Sequence, residues 1–454
     1  MWFLLGVLFL ICGVFYLVRE VRFISKQKDM IIISYMRLLY SFTFGIIPAL
    51  LCFMYSLAGI ELKLKNLVAV DYSNDGLFYL FLFWFFSVVG YFFLNVGYFI
   101  DVRIRKPSNR KHYELTQLQT SIIGFIVLAL GFLSLYLWTK TEGSIYNFIL
   151  KANWYRADYT NSLNNAYAMF RQPAKLVNVA ALIFFFQLIN YKEKHKFIYL
   201  IGYSLSLIAS ILYLLCTDGR LQIAMFFGVQ LLGFVLYRRR DARLTKHQIA
   251  LIALLALSAL VLIAYLDEIT SFIRYGKVLE SAKSGNSVFL TLMNEFGYVY
   301  ESGQMSIGSS LFRGGRLYVI DDIVRGAFSI LPSRFTPAGF ELVWRYNTYL
   351  CTGSRSAGTI PCDIISESIY DLNVLGIIVL PWFWGQLARK VENSYQNRKE
   401  NAFNRAMYMG MVLLFFRSIN YCGLYDFMRG FFAYLVTYII AYFLARFAPR
   451  VKGR

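Results

Sequence analysis

An all-α membrane protein with many spans is the fold class this chain predicts, and three observations predict it. The 454 residues are 58% hydrophobic and only 16% charged, and the mean hydropathy is +0.52, outside the range of ordinary soluble domains. Apolar runs of about 18 or more residues recur, each long enough to cross a ~30 Å hydrocarbon core as a helix. The runs are continuous rather than alternating, which excludes the strands of a membrane barrel.

Taken in order, the spans are expected near residues 2–18, 31–56, 77–100, 119–138, 173–191, 197–216, 221–237, 248–266, 364–388, 406–422 and 427–447, eleven in all. Arg19-Glu20 follows the first run with no small-residue cleavage site, so that run reads as a retained span. Loops 19–29, 101–118, 192–196, 238–247, 389–405 and the tail after Ala445 hold 26 Lys/Arg against 8 Asp/Glu. Loops 57–76, 139–172, 217–220, 267–363 and 423–430 hold 17 against 16. This alternation puts the amino terminus and the longest loop outside and the carboxyl terminus inside. The formal charge of +20 therefore reports topology. No basic domain with interleaved aromatics exists to dock a nucleic acid.

The chain divides by composition into residues 1–266 (eight spans), the polar interval 267–363, and residues 364–454 (three spans and a tail). The interval carries nine Arg/Lys and nine Asp/Glu and runs on into Glu367 and Asp371. It reads as short amphipathic helices broken at Gly303, Gly314-Gly315, Pro332 and Pro337. Loop 139–172 contains Trp154, Tyr155, Arg156, Tyr159 and Tyr167. These suit an interfacial helix or a sugar-stacking surface. Three basic residues fall within spans. Arg37 and Lys175 lie near ends and can snorkel to headgroups, whereas Arg417 lies deep in the tenth span and needs a cavity or a partner.

His112, His195 and His247 all fall in inner loops, so the outer face lacks the histidine needed for a His-based triad, a His-liganded zinc or a histidine base. No nucleotide-type glycine loop is present. Asp321-Asp322 hint at a metal, but no further carboxylates or histidines gather at ligand spacing, so no metal and no cofactor is expected. What the outer face does carry is arginine: Arg220, Arg274, Arg313, Arg316, Arg325, Arg334, Arg345, Arg355 and Arg429, with Arg417 just below. Guanidinium forks pair with phosphate oxygens by two parallel bonds and stay charged. An arginine-rimmed membrane cavity suits a lipid-linked phosphate or pyrophosphate. Asp218, in the tight turn Thr217-Asp-Gly-Arg220, either caps the following helix or serves the site. Cys351 and Cys362 bracket Arg355, and both a disulfide and two free thiols remain open. Cys12, Cys52, Cys216 and Cys422 read as packing residues.

Four stretches, in this order, resemble the Wzy-type polysaccharide polymerases, the family of O-antigen and enterobacterial common antigen polymerases. They are the first span followed by Arg19-Glu-Val-Arg22-Phe, the turn Thr217-Asp-Gly-Arg220, Leu331-Pro-Ser-Arg334 with Pro337, and Gly358-Thr-Ile-Pro-Cys-Asp-Ile-Ile-Ser-Glu367 through Gly376. An Arg-to-Gly spacing seen in two outer loops of some members occurs at Arg274 and Gly285 but not from Arg156. The resemblance implies a GT-C-like helical fold in a bacterial inner membrane, with a periplasmic active site. It implies a glycosyltransferase that moves a growing glycan from undecaprenyl pyrophosphate to a lipid-linked repeat unit, without a metal, partnered by a chain-length regulator. On that reading Arg220, Arg355 and Arg417 stabilise the leaving pyrophosphate. Glu367 and Asp363, with Asp218 third, are the candidate bases. Arg334, Arg316, Arg325, Arg429 and Tyr421 contribute to substrate binding. The rivals are an O-antigen ligase, which uses an outer histidine absent here, and a flippase or transporter, for which no internal repeat is seen.

Overall fold

The computed structural model describes residues 1–27, 30–61, 63–64, 68–100, 115–157, 165, 167–189, 196–217, 220–237, 265–278, 288–331, 335, 337–355, 360–396 and 401–447. Apart from a two-residue ladder of β1 (Lys63–Leu64) with β2 (Val68–Ala69), the described elements are helical. Among these residues eight helices are long and apolar enough to cross a membrane: Trp2–Lys26, Ile32–Ala58, Asn74–Phe99, Gln117–Glu142, Ala168–Ile189, Lys196–Thr217, Ile364–Tyr395 and Leu424–Arg446. The architecture is that of an all-α polytopic membrane protein. Of the three other expected spans, 248–266 lies almost wholly outside the described residues, and the seventh is present as a shorter apolar helix, Gln222–Phe234. The tenth is a 16-residue helix, Ala402–Arg417.

Two compact units divide the chain. The first comprises Met1–Val102, Ser284–Ser394 and Leu414–Met428. Its helices are α1 (Trp2–Gln27), α2 (Ile32–Ser41), α3 (Ile47–Ala58) and α4 (Asn74–Phe99). A π-turn at Phe42–Ile46 joins α2 to α3 in one span. There Gly45 meets Gly13 of α1 so closely that an added Cβ would lie 2.3 Å from Gly13 Cα, the small-residue contact by which membrane helices approach. Ser73 starts α4 by accepting the Gly76 amide at 3.1 Å.

Arg37 does not snorkel. It is 1% exposed, pairs with Glu20 at 2.9 Å, donates to Asn95 Oδ1, and lies 5.1 Å from the ring centres of Phe23 and Phe99. With an acid on the neighbouring helix, the guanidinium finds its counter-charge inside the bundle, where an isolated charge is prohibitive.

The polar interval is also more deeply built in than its composition predicts. In unit two it contributes α11 (Leu266–Tyr275), and in unit one α12 (Val288–Ser306), α13 (Val319–Phe328) and α14 (Val343–Thr352). Gly303 does not break α12. It lies inside the helix, with its missing side chain replaced by the Phe83 ring 2.6 Å from an ideal Cβ, and a π-turn carries the helix on to Phe312. Tyr300 donates to Thr43 O at 3.0 Å, and Gln304 bonds both backbone groups of Asp71 at 2.9 Å. The break at Gly314 is real, with φ +66.

Next come α15 (Ile364–Leu372) and α16 (Gly376–Gln396), joined through Asn373, whose φ is +57. The second unit comprises Arg103–Lys283, Tyr395–Leu413 and Arg429–Arg454. It holds α5 (Gln117–Thr139), α6 (Ile145–Ala157), α7 (Arg171–Ala174), α8 (Leu176–Ile189), α9 (Lys196–Thr217) and α10 (Arg220–Tyr237). A capping box of Thr116 and Gln119 opens α5. Apolar on every face, α8 is buried and donates from Gln187 to Ser121 Oγ at 3.0 Å. Helix α6 forms in the aromatic loop, where Tyr155 stacks on Phe148 with ring centres 4.8 Å apart and donates to Glu142. Boundaries between the units fall within α17 (Ala402–Arg417) and α18 (Leu424–Phe447).

Candidate functional site

Within the first unit, three sequence-remote segments meet around the start of α15. Asp363 caps that helix: its Oδ1 accepts the Ile365 and Ser366 amides at 2.8 and 3.1 Å, and its Oδ2 accepts the Ser366 hydroxyl. The turn after α17 lies alongside, with Ile364 N donating to Ile419 O at 2.9 Å and Cys422 N to Cys362 O at 2.8 Å. A buried relay fixes the other side. Tyr370 donates to Asn347 (2.9 Å), Asn347 to Ser302 (2.8 Å), and Ser302 to Pro361 O (3.3 Å).

This scaffold brings Asp322 of α13 against Glu367 and Asp371 of α15. One carboxylate oxygen from each lies within 4.8 Å of the others, and all three residues are buried. The expectation that no further carboxylate joins Asp321-Asp322 is corrected, because helix packing supplies what spacing in the chain does not. Asp321 turns the other way and takes Arg316 Nη2 on both its oxygens at 2.8 Å. Asp322 accepts the Leu424 amide at 2.9 Å. Burial pushes Asp322 up to about 6 against its backbone bonds, with nearby Asp426 adding to the rise. Glu367 Oε2 and Asp371 Oδ1 have no hydrogen-bond partner. Among the described residues no Lys or Arg pairs with the trio. Three carboxylates this close balance their charge either by sharing protons or by holding a hard divalent cation. Gly423 closes the hollow in a left-handed turn with φ +110; a Cβ there would lie 2.9 Å from Glu367 Oε1.

Asp363 is pushed up to about 6 by burial, opposed by the Ser366 and Ile365 bonds. With both oxygens engaged it serves the helix start, which disfavours it as a base. Glu301 of α12 is another buried carboxylate, with Oε2 unpartnered and burial raising it to about 8 against a bond from the Cys351 thiol. Cys351 and Cys362 are both free, and burial raises both thiols. Cys351 Sγ lies 3.9 Å from Asn347 Oδ1, with Glu301 nearby, and Cys362 has Glu367, Asp363 and Cys351 as its charged or ionisable neighbours. The structure carries two free thiols here, one of the two readings the sequence leaves open.

The arginines are less concentrated than their sequence suggests. Arg417 is the last residue of α17, half-buried, with its guanidinium 4.9 Å from the Tyr421 ring centre. Arg355 is 56% exposed, 3.6 Å from Glu341 and 5.1 Å from the Tyr349 ring centre. Arg325 donates to Phe340 O, so it and Arg316 hold α13 in place. Tyr421 packs on Tyr298 with ring centres 5.8 Å apart. In the second unit, Arg220 heads α10 and Lys175 donates to the Arg429 carbonyl at 3.2 Å. Asp218 and Arg334, and the side chains of Arg156, Arg220 and Arg274, lie outside the described residues. Asp371, Glu301 and Gly423 were not singled out from sequence; a run of acids entering an apolar helix was the available signal. No family model, curated protein or solved structure matches the chain.

Proposed function

We propose that this protein is a multi-pass glycosyltransferase that polymerises lipid-linked oligosaccharide units. It transfers the growing glycan from undecaprenyl pyrophosphate to a sugar hydroxyl on a new lipid-linked unit, at the periplasmic side of a bacterial inner membrane. The observation that supports this best is the convergence of Glu367, in one of the stretches that resemble Wzy-type polymerases, with the Arg417–Gly423 turn. Glu367 is 2% exposed, has one unpartnered oxygen, and is walled at Oε1 by a glycine. The turn beside it carries a guanidinium on an aromatic ring.

In the transfer, the bond between the anomeric carbon and the pyrophosphate oxygen breaks, and its electron pair leaves with the pyrophosphate. The acceptor oxygen bonds the anomeric carbon, and its proton passes to Glu367 Oε2. Arg355 and Arg417, both of the first unit, stabilise the charge on the leaving group, and Tyr421 lies against the Arg417 guanidinium. On this reading Asp322 and Asp371 share protons with Glu367, and the transfer runs without a metal. A separate chain-length regulator fits this reading as a partner.

Glu367→Gln should keep binding of the lipid-linked unit and lose turnover by about 10²–10⁴-fold. Unchanged polymer amount and length in that variant would remove the base assignment. Arg355→Lys and Arg417→Lys should each cut chain extension about tenfold or more, since a point charge does not reproduce the bidentate fork. Wild-type product ladders from both would retire the pyrophosphate role.

A further inference from the structure

A second charged feature lies at the basic end of α1, away from the carboxylates. Phe15, Arg19, Arg22 and Lys26 follow one another at intervals of four and three, which places them on one helix face. That face, with Phe23, Arg37 and Phe99, lines a cavity of about 350 Å³. Arg37 is held rigidly between the two rings by Glu20 and Asn95, yet its Nε has no hydrogen-bond partner although the residue is 1% exposed. An unmatched N–H on a buried cation is costly to leave unmade. Arg19, Arg22 and Lys26 are exposed, and among the described residues none pairs with an acid. Glu20, the carboxylate beside Arg37, is taken by it. The cavity therefore sets four cations against one anion.

Beyond the cavity the same face of α1 is apolar and open. Ile11, Val14, Phe15 and Val18 are exposed by 60, 46, 59 and 42% and continue from the basic rim along α1. An inorganic anion would satisfy the cations and leave that stripe unused, whereas a neutral lipid would cover the stripe and leave the cations unmatched. We infer that the cavity binds an anionic glycerophospholipid, with its headgroup phosphate among Arg19, Arg22, Lys26 and Arg37 Nε and an acyl chain along α1. Guanidinium forks and an ammonium suit a phosphate oxyanion. A basic pocket between spans at headgroup depth is a known physical basis for lipid selectivity.

The test uses the full chain, purified in a neutral detergent and titrated with phosphatidylglycerol, with bound lipid counted by native mass spectrometry. Phosphatidylcholine and inorganic phosphate are the comparison arms. Wild-type protein should retain phosphatidylglycerol in preference to phosphatidylcholine. Arg22→Ala should weaken that binding about fivefold, and the triple variant R19A/R22A/K26A about a hundredfold. These side chains are exposed, so the single variants keep the test valid if the triple one folds poorly. Equal retention of both lipids, or wild-type affinity in the single and triple variants, overturns the site. Displacement of the lipid by millimolar inorganic phosphate overturns the lipid assignment in favour of a small-anion site.

Discussion

Glu301 carries an unpartnered oxygen inside α12, and burial raises its carboxyl from 4.5 to about 8. The folded protein therefore holds a proton that the unfolded chain releases above about pH 4.5. Stability from this group is complete below that pH and is lost as pH rises through 8. Asp322 and Asp363, each raised from 3.8 to about 6, act with the same sign over roughly pH 4–6. The melting temperature should fall between pH 5 and 9, and Glu301→Gln should flatten the upper part of that fall. Parallel profiles for the variant and wild type would show that Glu301 is not the group responsible. The sequence marked Glu367 because an acid in the first turn of an apolar helix is conspicuous. It did not mark Glu301 or pair Asp322 with α15, since both depend on which helix faces which. Arg37 shows the same limit. Its distance from a span end predicted snorkelling, but the nearby Glu20 and Asn95 gave it an internal partner.

At the scale of elements, the turn after α17 and the start of α15 form one unit of structure held by two backbone bonds of 2.8 and 2.9 Å. Gly423 sits where only a residue at ease in the left-handed region fits, so Gly423→Ala should cost about 1–3 kcal/mol and displace Glu367. A thermal melt indistinguishable from wild type would contradict that packing. The free thiols give a second check at this scale. Unfolded without reductant, the protein should react with maleimide at all six cysteines; four reactive thiols would indicate a disulfide. The caps at Thr116 with Gln119 and at Ser73 are local in the chain, but the apolar runs place those spans without them. The depth of α12 was not legible. Its polar residues meet partners on the π-turn before α3, on α4 and the segment leading into it, and on α14, and a composition reading takes such residues to be solvated.

Across the whole molecule, hydropathy carried the furthest. Eight apolar helices lie where continuous runs were expected, because crossing a hydrocarbon core demands length and apolarity that no loop supplies by chance. Shorter elements such as α17 escaped that rule, since a 16-residue helix followed by a bonded turn resembles a full span in hydropathy alone. The proposed chemistry belongs to this scale too, because it requires a membrane-embedded acceptor, a lipid pyrophosphate donor and no nucleotide. Its most direct test is reconstitution of the purified full chain with a single undecaprenyl-pyrophosphate-linked repeat unit, without nucleotide and in excess chelator. The account predicts a ladder of products that lengthens with time; no ladder, or one that forms only when a divalent cation is restored, would contradict it.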